Sequence, residues 1–332
     1  MHMLEDLMER GYEFHVSERV QRQFGGRLRS SENWGDTSHD WAKEAEFPEA
    51  VHRRTLWTGI AAIVGLSALL FIMGYWISRR VGHRIRNVLL VVTFVLGVTY
   101  VWLARDSGWQ LRLMPGVNGM MYGKWLMPII CFAAGLLTSF SKIRRSHRAV
   151  LISLLVCVSS LDFISAAALS RPVTSDRYDD WVTLQSSEAT CSPAACATLL
   201  QLSGILVSEQ DMVRACLTTS RGTSWQGMYR GLSLLVANDC HVGAKKYSSV
   251  DEMPLPAIIN AELRSTKDEY KRYHEEWGWE PGEPHTVVVF RTEDDDGLLL
   301  ADAAVGLELW DRRALDVLWN GEALVILPGR KK

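Results

Sequence analysis

A cysteine where a helix begins, a histidine that opens a strand and an aspartate 17 residues beyond it have types and spacing suited to covalent chemistry. Cys191 lies in QSSEATCSPAACATLLQLSG, residues 185–204, with Pro193 in a helical first turn and Gly204 as its stop. The unpaired N–H groups and positive dipole end at a helix start favour a thiolate, the reactive form of cysteine. Such a nucleophile needs a base, a group that orients the base, and donors for an oxyanion. His285 follows the turn PGEP, and Asp302 falls in the next strand. A hairpin around EDDDG would set the two side by side, so that Asp302 fixes the imidazole tautomer. Gln185, six residues before Cys191, is placed to turn its amide N–H₂ toward a developing oxyanion, together with the Cys191 backbone N–H. Spacing alone leaves two other roles open for Cys191, a buried structural thiol and half of a disulfide.

The other cysteines carry less. Cys131 and Cys157 lie in apolar segments, while Cys196, Cys216 and Cys240 accompany Cys191 in the second half. No pair has zinc-finger spacing, and Cys240–His241 offers too few ligands, so no metal and no cofactor are expected. Cys196 is expected on the buried side of its helix. Outside the cytoplasm, two of Cys196, Cys216 and Cys240 could pair, in any of three ways. His241 and His274 read as ordinary surface residues.

The elements that must position these groups run helices first and strands last. SPAACATLLQLSGI, SEQDMVRACL and WQGMYRGLSLLVAND read as helices; PAIINAEL, HTVVVFRT, GLLLADAAVG and GEALVILPG read as strands. Helices in front of an antiparallel sheet make an α+β domain, expected over residues 171–332 and long enough to bury its own core. The run Glu293–Asp296 reads as a solvated hairpin tip.

Ahead of it the chain changes character. Residues 55–77 carry no charge, and 23 residues at about 1.5 Å each span roughly 35 Å, enough to cross a bilayer. Trp57, Tyr75 and Trp76 sit near its ends, as interfacial aromatics do. Further spans are expected at 87–104, at 125–140 (short, with Pro128) and at 149–169, giving an all-α transmembrane region over 55–170. Arg79, Arg80, Arg84 and Arg86 lie between the first two spans; Lys142, Arg144, Arg145 and Arg148 lie between the last two. Short loops this basic stay in the cytoplasm. Four spans with the C-terminal domain outside satisfy both loops, although Arg53 and Arg54 pull mildly the other way. Asp162 reads as an interfacial residue at the end of the fourth span rather than an intramembrane site. Residues 1–54 read as a polar tail without the basic-then-apolar pattern of a cleavable signal peptide. The net charge of −2 and the absence of a basic patch speak against a nucleic-acid partner.

Several stretches of the second half occur in a telling order: QSSEATCSPAAC, GTSWQGM, LPAIINAEL, HTVVVF, ADAAVG and LWNGEALVIL. Over about residues 178–328 they resemble the bacteriocin-processing double-glycine cysteine peptidases, cysteine peptidase family 39. The resemblance implies a papain-like fold, with Gln185 as oxyanion donor, Cys191 as nucleophile, His285 as base and acid, and Asp302 as orienting carboxylate. It also implies cleavage after small residues such as Gly-Gly. Three departures stand out. Ser192 replaces the usual glycine after the cysteine, RSTKDEYKRYHEEWGWEPGE looks like an insertion before His285, and Ala303 replaces a common proline. Relatives often carry this domain at the N-terminus of an ATP-driven exporter. This chain has no G-x-x-x-x-G-K-[ST] loop, so no ATP site is expected in it and any exporter would be a separate partner.

The expectation is therefore a multi-pass protein of a bacterial inner membrane. Its extracytoplasmic peptidase domain would act on leader or secreted peptides close to the bilayer. A non-hydrolytic peptide-binding module serving a transporter is the alternative, and a transferase of the same fold a third.

Overall fold

The computed structural model describes residues 43–104, 108, 110–111, 125–140, 144–168, 171–179, 181–264, 271–275, 277–293 and 297–329. Most of the polar tail, the Asp162 side chain, residues 265–270 of the insertion and the 294–296 tip lie outside these. The chain divides into two compact units, one of residues 48–171 with 224–230, the other comprising the rest.

The first unit is helical. It contains α1 (Glu49–Arg80), α2 (His83–Thr99, continued by a wider π-helical turn at Tyr100–Ala104), α3 (Leu126–Leu137) and α4 (Arg145–Ala168). Glu49 in the first turn of α1 and Arg79 and Arg80 in its last complement the helix dipole. One stripe of α1 is buried, and it is built largely of small residues: Gly59, Ile63, Ser67, Gly74 and Ser78. At Gly74 and Gly135 the backbones of α1 and α3 touch; a Cβ on Gly74 would strike the Phe132 carbonyl, and one on Gly135 the Phe71 carbonyl. Four residues on, Ser78 Oγ lies 2.8 Å from Ser139 Oγ, so the two helices run parallel with one constant offset. Small residues that admit such a close crossing are typical of helix pairs in membranes. The outward faces are apolar, as at Trp57, Leu69, Phe94 and Trp102.

Two helices, Glu49–Arg80 and His83–Trp102, are long and apolar enough to cross a membrane, and most of each lies unburied. The expected third span is a 12-residue helix, about 18 Å long and short of the roughly 30 Å of a hydrocarbon core. Its C-terminal end gathers both basic loops. Arg86 donates to the Ser139 carbonyl (3.0 Å) and stacks on the Phe140 ring, and Arg148 donates to the Phe140 carbonyl (3.0 Å). Cations belong at that end of a helix, where unpaired carbonyls concentrate negative charge.

The second unit mixes helices and sheet. β1 (Lys43–Glu44) pairs in parallel with β4 (Ile205–Leu206), and β2 (Arg177–Asp179) forms a small hairpin with β3 (Val182–Leu184). The helices are α5 (Cys191–Leu202), α6 (Glu209–Ala215), α7 (Trp225–Leu235, its first turns assigned to the other unit), α8 (Lys271–Glu275) and α9 (Arg312–Leu318). Six strands form an antiparallel sheet: β5 (Cys240–Lys246), β6 (Ala257–Ala261), β7 (His285–Glu293), β8 (Gly297–Asp302), β9 (Gly306–Asp311) and β10 (Trp319–Pro328). Their order is β5-β10-β6-β7-β8-β9.

Both faces of this sheet are covered, which is why β7 and β8 read as continuous apolar runs rather than alternating ones. Ile259, Val287, Val289, Leu298, Leu300 and Val325 pack on one face with Leu315 of α9. The other face meets α5, whose residues from Ser192 to Leu202 are all buried. Such a helix, apolar nearly all round, belongs in a core. It carries Cys191 into the structure at its half-buried tip.

Candidate active site

The turn before α5 is tied by Thr190, which is fully buried. Its Oγ1 accepts from the Ser186 and Ser187 N–H groups (3.0 Å each) and donates to the Ser187 carbonyl (2.9 Å). The chain therefore leaves a short 3₁₀ turn, Glu188–Thr190, and enters α5 at Cys191 in a fixed direction.

His285 opens β7 and Asp302 closes β8. In the register of the pair Asp302 stands opposite Val287, so His285 and Asp302 are diagonal neighbours on one face. His285 Nε2 lies 2.7 Å from Asp302 Oδ1, which also accepts from the Ala304 N–H at 2.7 Å. With Nε2 so occupied, Nδ1 is the ring nitrogen left for the Cys191 side chain, whose thiol His285 pulls down. The Asp302 side chain is 8% exposed, while that of His285 is 22% exposed and remains open to solvent.

The electrostatics follow from this order. Burial alone would push the Cys191 thiol up. The hydrogen bond and charge of His285, the Thr286 backbone N–H and the Ser192 hydroxyl outweigh it, and the thiol sits below its ordinary range. Burial alone would lower His285, but its hydrogen bonds to Asp302 and Cys191 and their charges hold it up at about 10. Both shifts favour a thiolate facing an imidazolium.

The structure thus brings Cys191, His285 and Asp302 together, with His285 hydrogen-bonded to Asp302 and electrostatically coupled to Cys191. Gln185 comes alongside through its backbone: its N–H donates to the Ala303 carbonyl (2.7 Å), next to Asp302, and its carbonyl accepts from Arg177 (2.9 Å). Its carboxamide oxygen is buried without a hydrogen-bond partner among the described residues.

Several neighbours escaped the sequence reading. Glu209, fully buried at the start of α6, accepts from both the N–H and the hydroxyl of Ser186, the residue after Gln185. Ser192 Oγ lies 2.8 Å from Thr286 Oγ1, which donates to Asn260 Oδ1 at 2.9 Å. A signal for this was present in AIINA, where one amide interrupts an otherwise apolar strand. Trp279, from the insertion, stands edge-on to His285 and to Trp310 (centroids 6.2 and 5.6 Å). His274 pairs through Nδ1 with the Trp279 carbonyl (3.0 Å), so it holds the backbone of that loop. Cys196 and Cys216 are buried free thiols in mutual contact; burial, then Cys216, holds Cys196 well above its ordinary range.

No family model matches the chain. An uncharacterized protein of Methanothermobacter marburgensis is 27% identical over 148 residues, 45% of this chain and 89% of that protein. Among solved structures, the chain is similar to the peptidase domain of Streptococcus ComA, a bi-functional ABC transporter involved in a quorum sensing pathway. The identity there is 16% and the TM-score 0.35, covering 44% of this chain and 96% of that one. It is also similar to a double glycine motif protease from an AMS/PCAT transporter, solved with its leader peptide. There the identity is 16% and the TM-score 0.34, covering 48% and 96%.

Proposed function

We propose that this chain is a membrane-anchored cysteine peptidase, with a papain-like domain at 171–332 behind a four-pass region. The observation that carries the reading is the line from Cys191 through His285 to Asp302, with the nucleophile at a helix start. The Cys191 thiolate attacks a peptide carbonyl carbon, and the tetrahedral oxyanion is held by the Gln185 amide and the Cys191 N–H. His285 gives its proton to the leaving amine as the carbon–nitrogen bond breaks. It then takes a proton from water, which hydrolyses the thioester and releases Cys191. Asp302 fixes the ring and balances its charge throughout.

Membrane attachment rests on the two long apolar helices, and the four-pass arrangement on the meeting of both basic loops at one end of α3. With that end in the cytoplasm, the segment after α4 leaves on the outer side. Leader or secreted peptides emerging there are the proposed substrates, with a separate exporter as partner; cleavage after Gly-Gly follows from the motif resemblance.

A second reading, a peptide-binding module without hydrolysis, draws on the Gln185 carboxamide oxygen. Buried and unpaired, it can accept a peptide N–H as readily as the amide can donate. The test is incubation of the purified full chain with a library of Gly-Gly-containing peptides. New termini that disappear with Cys191→Ser and with His285→Ala are expected. Peptide retention without any cleavage would leave the binding module standing and the peptidase overturned.

A further inference from the structure

Thr286 lies between the base and the nucleophile in an unusual way. It follows His285 directly on β7, its backbone N–H reaches Cys191, and its hydroxyl meets Ser192, the residue after Cys191. It stands opposite Asn260 in the β6–β7 register, so the two side chains share the face turned toward α5. Ser192 and Thr286 are both buried. The hydroxyls run in a line: Cys191 Sγ to Ser192 Oγ 3.9 Å, Ser192 Oγ to Thr286 Oγ1 2.8 Å, Thr286 Oγ1 to Asn260 Oδ1 2.9 Å.

Each hydroxyl has one proton, so the line has a direction. Thr286 gives its proton to the Asn260 oxygen, and its lone pair must then take the proton of Ser192. In that order Ser192 presents a lone pair to Cys191, which suits a thiol; the Ser192 contribution that lowers the Cys191 thiol belongs to the reverse order. If the Asn260 amide turns over, its N–H₂ donates to Thr286, Thr286 donates to Ser192, and Ser192 donates to the sulfur. The same three side chains serve either charge state, and the carboxamide decides between them.

We propose that Ser192, Thr286 and Asn260 are positioning residues forming a reversible hydrogen-bond relay that follows the charge on Cys191 and stabilises its thiolate. The relay rests on the nucleophile role proposed above for Cys191. It also accounts for a serine where the resembled family has glycine: a glycine there would end the line at Thr286. The other titratable groups facing Cys191 are His285 on β7, backed by Asp302 on β8, and Cys196 further along α5, itself against Cys216 just after α6.

The test is the pH profile of iodoacetamide alkylation at Cys191, located by peptide mass in the detergent-solubilised full chain. Ser192→Ala, Thr286→Val and Asn260→Asp, whose carboxylate only accepts, should each move the midpoint up by roughly one pH unit. Thr286→Ser keeps the hydroxyl and should restore the midpoint. Combining Ser192→Ala with Thr286→Val should add nothing to either alone. A midpoint unmoved by Ser192→Ala or Thr286→Val, or a shift that Thr286→Ser fails to reverse, overturns the relay. His285→Ala is run beside them: a flat response to that variant overturns the triad instead, so the two failures are told apart.

Discussion

Glu209 binds Ser186 twice, taking its backbone N–H at 2.9 Å and its hydroxyl through the other carboxylate oxygen. A fully buried carboxylate needs such partners, and here they fix the residue that follows Gln185. Glu209→Ala takes away the acceptor of the Ser186 hydroxyl and one of the two acceptors of its N–H, and should destabilise the protein by about 1–3 kcal/mol, with Glu209→Gln in between. Thermal unfolding of the full chain measures this. Peptide hydrolysis should fall more than thiol labelling, because Gln185 loses its support while Cys191 and His285 keep theirs. Equal losses in both would mean that Glu209 acts on the whole site.

The Cys191–His285 pair sets a pH window. As pH falls through the lowered value of Cys191, the thiolate is protonated and the rate drops. As pH rises through about 10, His285 loses the proton it must give to the leaving amine. A bell-shaped kcat/KM with its alkaline limb near pH 10 is expected. Asp302→Asn removes the charge that holds His285 up, so this limb should move toward neutrality and the rate fall roughly 10²–10⁴-fold. An alkaline limb that stays in place would separate Asp302 from the proton on His285.

Gly135 has no room for a side chain, because the Phe71 carbonyl and the Tyr75 backbone N–H lie against it. Gly135→Val must push α1 and α3 apart and should cost about 1–3 kcal/mol. Thermal unfolding in detergent reads this directly. Gly65, which has open space around it, is the control position: Gly65→Ala should leave the midpoint unchanged or raise it slightly.

Arg86 and Arg148 meet the same helix end, so the two basic loops share one side of the membrane in the proposed topology. Cysteines introduced as Arg84→Cys and Arg145→Cys should both resist a membrane-impermeant maleimide in intact cells and react once the cells are opened. Reaction of just one of them before opening would remove the four-pass arrangement.

What was legible in the sequence had strong local causes. The helix at Cys191 followed from Pro193 and Gly204, whose φ of +80° suits a helix stop that other residues resist. The strands of His285 and Asp302 were legible because a sheet covered on both faces leaves unbroken apolar runs. β5 was not, since CHVGAKK is a largely polar edge strand without that signature. GLLLADAAVG was read as one strand, but Asp302 turns the chain by accepting from the Ala304 N–H and β9 begins at Gly306. Ser192, Thr286, Asn260 and Glu209 were hidden for another reason. Their roles depend on pairings 23 to 94 residues apart, which no local pattern carries. The third apolar segment, already short in the sequence, forms a helix that stops at Leu137, where Thr138 and Ser139 follow.

The strand order carries a consequence in time. β10, the last of the six strands in sequence, lies between β5 and β6, and β5 has no other neighbour in the sheet. A nascent chain that has already emerged past His285 and Asp302 still lacks the strand that closes the sheet beside β6. Until residues 319–328 insert, one edge of β6 is open and β5 has nothing to pair with. Assembly of the sheet behind the nucleophile thus waits on residues 319–328, and a chain cut before Trp319 would carry the candidate triad's residues but no complete sheet to hold them.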